Sequence, residues 1–300
     1  MSPDLSAVVD EIYEAAVVPE SWRRVLDRMA NISGSEGTVL FASSSERSHW
    51  LSSEAIDQRI RAWLDSPFIQ NNPRGQRLVP RREPRFLTDL DALTLEEMDA
   101  DPYYQFIRDL GLGWCVGTTV RSPAGDTLVF SCERQYRKGP VERSAVDMLD
   151  DLRPHLARAA LLSARIGLER ARATVHALET LGLPAAVVSP SGRAIAANEL
   201  LATCAPRLFV GAHDRITFAT AAAHALFAEA LASGGHDGTG RSIPVPRDNT
   251  GPNLVVHLLP LRGAGRDIFS GASSLLYVTP LTENKAPEKM SRPAPRRGSR

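Results

Sequence analysis

The sequence predicts an α+β protein in which two antiparallel-sheet units are joined by a long helix. Three observations carry that expectation. Strand-like alternation at 114–120 and 126–132 is embedded in segments of helical period, a helical stretch spans 139–182, and a second set of strand and helix segments begins at 185. The expected boundaries are 1–138 for the first unit, 139–182 for the connector helix, 183–282 for the second unit and 283–300 for a disordered basic tail.

In chain order, Leu5, Val8, Val9, Ile12 and Ala16 share one helical face, and Pro19 with Glu20 opens a second helix carrying Trp22, Val25, Leu26 and Met29. Gly34 and Gly37 bracket the switch to a strand at 38–42, after which 51–64 reads helical, with Ile56, Ile60, Trp63 and Leu64 on one side. Residues 66–90 are rich in Pro and Arg, lack periodicity and read as a long surface loop. Thr94 and Glu97 have capping-box spacing, which starts a helix, and a second helix follows at 103–110. Gly111 and Gly113 end it before the 114–120 and 126–132 hairpin, whose turn is 122–125.

Gly139-Pro140 begins the long helix, with Pro140 at a tolerated first-turn position and an interruption expected at Pro154. Within it Leu161, Ala164, Leu168, Ala171, Val175 and Leu178 alternate at spacings of three and four, the seam of a two-stranded coiled coil, and Arg158, Arg165 and Arg172 recur every seventh residue beside it. Two readings stand open: a dimer seam, in which Leu168→Asp gives monomers, or a helix packed on its own domains. Gly182-Leu183-Pro184 ends the helix. A hairpin at 185–197 then feeds a helix at 199–204, a second helix spans 220–232, and a Gly-rich loop at 233–240 precedes strands at 241–245, 254–259 and 273–278.

Composition narrows the function. Lys plus Arg and Asp plus Glu are equal at 35 each, so no net field draws the chain to nucleic acid. The three cysteines, Cys115, Cys132 and Cys204, are widely spaced with no CxxC pair, which argues against a disulfide framework or thiolate zinc and for a reducing compartment. The acidic N-terminus lacks a signal-peptide pattern and no apolar run reaches membrane length, so the expected location is cytoplasmic, with no membrane partner. The seven histidines form neither HExxH nor HxH, no metal site is expected, and no nucleophile elbow, P-loop or dinucleotide fingerprint occurs, so no catalytic residue is assigned and the chain reads as no enzyme. A haem ligated by His224 and a redox pair of Cys115 with Cys132 are minor alternatives to an ordinary helix His and inert buried thiols. Trp114, Phe130, Phe41, Trp50 and Trp63 either line a small-molecule pocket or form plain core. In the second unit Asn198, His224 and His257 are the cavity-lining candidates; the cofactor is unknown.

The stretches 12–22, 139–143, 152–158 and 182–188, with Gly192, Asn198 and 267–271, resemble the N-terminal sensory part of LuxR-type helix-turn-helix transcriptional regulators over roughly 8–282. Residues 187–198 also resemble the opening of a PAS domain, and the first unit is more loosely similar to a GAF domain. The resemblance implies a cytoplasmic, dimeric regulator that senses a signal through GAF-like and PAS-like units and controls transcription through a DNA-binding helix-turn-helix. Residues 282–300 leave no room for that module, so the expectation is an output that is missing or truncated here, with action as a homodimer or as a heterodimer with full-length relatives. The alternatives are a stand-alone small-molecule sensor acting through a partner, an enzyme whose site is assembled from distant residues, and weak, salt-sensitive DNA contact through Arg292, Arg296, Arg297 and Arg300. Thr203-Cys204-Ala205 does not match the PAS flavin signature.

Overall fold

A computed structural model describes residues 4–43, 48–121, 127–233, 239–247, 252–261, 268–269 and 271–281. The first unit opens with α1 (Leu5–Val17), whose first turn is capped by the Asp4 carboxylate, and α2 (Trp22–Ser33), which ends at Gly34 in the left-handed conformation, φ 60°. Then come β1 (Gly37–Ser43), β2 (Ser48–Ser52), α3 (Asp57–Leu64), α4 (Pro73–Leu78), β3 (Leu87–Thr88), α5 (Leu95–Ala100), α6 (Pro102–Asp109), β4 (Gly113–Arg121) and β5 (Thr127–Gln135). The sheet order is β2-β1-β5-β4-β3, antiparallel throughout. Successive side chains of β5 leave by opposite faces: Leu128, Phe130 and Cys132 enter the main core with Ile12, Trp22 and Met29, while Thr127, Val129, Ser131 and Glu133 face the other way. Each large side chain sealed in that core contributes about 1.5–3 kcal/mol.

The connector α7 (Arg143–Thr180) is one 38-residue helix. Pro154 lies inside it without ending it, since a helix clamped along its length can forgo the one backbone bond that proline cannot donate. Its first half puts Leu149, Leu152, Leu156, Ala159 and Ala160 into the main core, where Ser163 also donates to the Ala16 carbonyl. Its second half lays Ala171, Val175 and Leu178 on the second sheet.

The second unit comprises β6 (Ala185–Val188), β7 (Ala194–Ala197), β8 (Leu208–Val210), β9 (Ile216–Phe218), α8 (Ala221–Ala232), β10 (Arg241–Val245), β11 (Leu254–Pro260) and β12 (Ser274–Pro280). Its main sheet runs β10-β11-β12-β6-β7. Counting only the five strands of each main sheet in chain order, both sheets have the order second, first, fifth, fourth, third, so one topology is used twice. One face, with Ala186, Val188, Val256, Leu276 and Val278, packs under Phe227 and Leu231 of α8; the other, with Ala185, Val187 and Tyr277, meets α7. The units touch once more where Phe269, between β11 and β12, is sealed in the first unit's core with its ring centroid 4.7 Å from that of Trp22.

Several expectations change. Residues 66–90 are no loop: Ser66 and Asn72 cap short helical turns begun by Pro67 and Pro73, and buried Arg74 ties the segment down. The stretch 51–64 starts as the end of β2, and its helix begins only at Asp57. The 199–204 segment is a 3-10 helix, and a small β8–β9 hairpin intervenes before α8. The 283–300 tail, the turn at 122–125 and most of the Gly-rich loop at 233–240 fall outside the described residues.

Candidate functional site

The face of the first sheet turned away from α1, α2 and α7 is roofed by α3, α4 and α6, and between them lies a cavity of about 380 Å³. That size lies within the usual range for small-molecule sites. Its walls are mainly apolar: Phe41 and Val129 from the sheet, Ile60, Trp63 and Leu64 from α3, Leu78, Val79 and Leu87 from the following segment, and Ile107 and Leu112 from α6 and its exit. Gly117 also lines it; a Cβ there would meet the Phe130 carbonyl at 2.8 Å, so the two strands require glycine at that position.

A buried ionic network forms part of the wall. Arg74, 6% exposed, donates from Nε to Asp89 at 2.7 Å, from Nη1 to Glu133 at 3.0 Å and from Nη2 to the Gly113 carbonyl at 2.9 Å. Asp89, fully buried, also accepts from the Tyr104 hydroxyl and the Cys115 amide, each at 2.7 Å, while Ser131 donates to Glu133 at 2.7 Å. Burial opposes the charge on Arg74, but the groups around it, Asp89 foremost and Glu133 among the others, together outweigh it and hold the guanidinium well above its ordinary pKa. Burial pushes the Tyr103 and Tyr104 hydroxyls and the Cys115 thiol upward, against the pull of Arg74, so all three stay protonated at neutral pH.

A second set of contacts runs from the cavity to α7. Thr118, on the wall, donates to the Arg85 carbonyl at 2.9 Å and accepts from Arg153 of α7 at 2.8 Å, and Arg153 also donates to the Thr119 carbonyl at 2.9 Å. The Phe86 amide donates to the Asp150 carboxylate, one turn earlier on α7. Arg85 is itself held by Glu83 and Asp91.

Two donors on the α3 wall are left over. Arg59 Nη1 and Trp63 Nε1 are sealed from solvent and have no hydrogen-bond partner among the described residues. An unsatisfied buried donor costs about 1–3 kcal/mol, which makes each a position where a bound acceptor would stabilise the fold.

The structure does not bring together the candidates read from the second unit. Asn198 is a structural clamp: its amide donates to the Val175 carbonyl at 3.1 Å and the Leu183 carbonyl at 2.8 Å and accepts from the Ala185 amide at 2.9 Å, pinning the end of α7 to β6. His224 is exposed on α8, its ring 6.4 Å from that of Phe218. His257 lies on the sheet between Ser242 and Thr279, at 3.0 Å from each, and stacks on Tyr277. A pocket on this unit, beside Arg241 and Leu258, holds about 20 Å³, room for a single water.

Of the proposed seam, Ala164 is buried in the main core and Ala171 and Val175 against β6 and its neighbours, with Leu178 beside them; Leu168 is half-buried and Leu161 is 44% exposed. Cys115 pairs with Glu133 and Cys132 with Val116, so the two thiols leave the hairpin by opposite faces and cannot form a redox pair. Of the five aromatics, Phe41 and Trp63 line the cavity, Phe130 packs near Trp22, Trp114 stacks on Tyr136, and Trp50 lies under Arg61. Among the described residues no group of three or more His, Cys, Asp or Glu could hold a metal ion, and no helix is long and apolar enough to cross a membrane.

No family model and no curated protein matches the chain. Among solved structures, the N-acylhomoserine lactone dependent LuxR family transcription factor CepR2 from Burkholderia cenocepacia aligns over 52% of this chain and 92% of its own at 13% identity, TM-score 0.39. The VqsR LBD domain from Pseudomonas aeruginosa aligns over 53% and 94% at 15% identity, TM-score 0.42. Escherichia coli SdiA aligns over 49% and 60% at 15% identity, TM-score 0.38. At these scores the likeness is one of general shape and carries no weight for function.

Proposed function

We propose that the chain is the sensory portion of a LuxR-like transcriptional regulator, in which the first unit (1–138) encloses a small molecule and α7 carries the bound state to the second unit (183–282). The observation that carries this reading is the 380 Å³ apolar-walled cavity, whose wall residues Thr118 and Thr119 are hydrogen-bonded to Arg153 on α7. The strand order common to the two sheets supports treating the units as related modules, GAF-like and then PAS-like. The family resemblance of the sequence supports the regulatory assignment and, with it, a cytoplasmic protein without enzymatic activity. Self-association belongs to the same reading. With Ala164, Ala171 and Val175 committed within the chain, the apolar surface that α7 offers a second copy is Leu161 and Leu162, and Leu161→Asp is expected to lower the mass measured by light scattering.

The test is direct occupancy. N-phenyl-1-naphthylamine, a neutral apolar dye that brightens on leaving water, should bind the wild type with saturable fluorescence and fail to bind Val129→Trp, in which an indole fills the cavity from its sheet side. Equal dye binding by the two proteins would refute the sensory assignment of this cavity.

A further inference from the structure

We infer that the ligand of this cavity is an apolar molecule carrying one carboxylate, whose head pairs with the Arg59 guanidinium and the Trp63 indole N–H. The inference rests on the ligand-sensing reading above and adds the chemical class. Arg59 and Trp63 stand four residues apart on α3, hence on one helix face, and both belong to the cavity wall. The wall carries two other arginines, and each is held by two carboxylates: Arg74 by Asp89 and Glu133, Arg85 by Glu83 and Asp91. Arg59 makes no ion pair among the described residues; the carboxylate of Glu36 feels its charge, but Glu36 is bonded to Lys138 at 2.6 Å.

The unmatched groups are therefore donors, one of them a guanidinium. The wall's carboxylates are already engaged, Glu133 by Arg74 and Ser131 and Glu83 by Arg85, so a ligand amine or cation finds no free counter-charge. A carboxylate supplies what is missing, because its two oxygens match the guanidinium fork and a charge-assisted bond is roughly twice as strong as a neutral one. The rest of the space is walled mainly by aliphatic and aromatic side chains and suits an unbranched chain or small aromatic body.

The experiment is displacement of N-phenyl-1-naphthylamine by decanoate and by decan-1-ol, matched in chain length, from the wild type, Arg59→Gln and Trp63→Phe at pH 7.5. Decanoate should displace the dye at least about tenfold more tightly than decanol from the wild type. Arg59→Gln should abolish that preference while leaving decanol unchanged, and Trp63→Phe, which keeps a ring and removes the N–H, should weaken decanoate severalfold. Arg59 lies outside both main cores and ion-pairs with nothing described, and an unaltered circular dichroism spectrum checks that Arg59→Gln folds. Dye binding with equal displacement by the two probes, or equal loss of both in Arg59→Gln, overturns the carboxylate assignment and leaves the sensory reading intact. Absence of dye binding by the wild type overturns both.

Discussion

Replacing Arg74 by Met isolates the contribution of the buried network, because Met keeps an apolar stem of similar length and removes only the guanidinium. Four hydrogen bonds go with it: two to Asp89, one to Glu133 and one to the Gly113 carbonyl. Breaking a buried ion pair from one side costs about 3–5 kcal/mol, since the remaining carboxylates stay buried without a counter-ion. That is a large share of the 5–15 kcal/mol that holds a typical domain together. With a urea slope of about 2 kcal/mol per molar, the midpoint should fall by roughly 2 M. The assay is unusually selective here, because all four tryptophans, Trp22, Trp50, Trp63 and Trp114, lie in the first unit and their emission reports its unfolding alone. Combining Arg74→Met with Glu133→Gln removes one stranded charge and should recover about 1–3 kcal/mol. A midpoint shift under about 0.5 M for Arg74→Met, or a double variant that is no more stable than the single, would refute the argument that this network holds the cavity wall.

Phe269→Ala should cost about 3–5 kcal/mol, because the ring is sealed against Trp22, and should separate the tryptophan transition from that seen by circular dichroism; unchanged, coincident transitions would contradict the contact. Acid should destabilise the first unit. Hydrogen bonding to Lys138 holds Glu36 below its ordinary pKa, backbone and side-chain bonds from Thr94 and Arg77 do so for Glu97, and in Asp91 the bonds from Thr88 and Arg85 outweigh the opposing burial. A depressed carboxylate stabilises above its unfolded pKa, near 4, and that contribution is lost as pH falls through the folded value, so the urea midpoint should be flat from pH 7 to 5 and drop below about 4. All three cysteines are buried; burial raises each thiol, that of Cys132 to about 11, so Ellman's reagent at pH 8 should find almost none in the native protein and three in urea. Rapid native labelling would contradict that burial.

The elements legible in the sequence are those specified locally. The β4–β5 hairpin announces itself by alternation, α5 by the reciprocal Thr94 and Glu97 cap, and α7 by an apolar stripe sustained over several turns. The same stripe could not say what covers it, because a coiled-coil partner and the chain's own sheets demand the same spacing. The 66–90 segment was misleading for a related reason. Arg74 reads as surface, and its burial depends on Asp89 and Glu133, 15 and 59 residues further on. Arg59 gave no signal, since its interest lies in what it fails to touch. Asn198 reads in the sequence as a cavity-lining candidate at the end of the PAS-like 187–198 pattern, but its amide is used up on three backbone groups, a pairing that depends on where the end of α7 comes to lie.

The connector also fixes a phase. At 1.5 Å per residue α7 is about 57 Å long, and the first unit's core grips it up to Ala164 while the second unit's begins at Ala171. One residue inserted between those grips would swing everything beyond it by about 100°, and the Asn198 clamp and the Phe269 contact could not both survive. Seven residues would restore the angle to within about 20° yet push the second unit some 10 Å along the axis, out of reach of Trp22. The span from 165 to 170 is thus a spacer of set length, and length variation in natural forms of this chain is expected in the loops and not there.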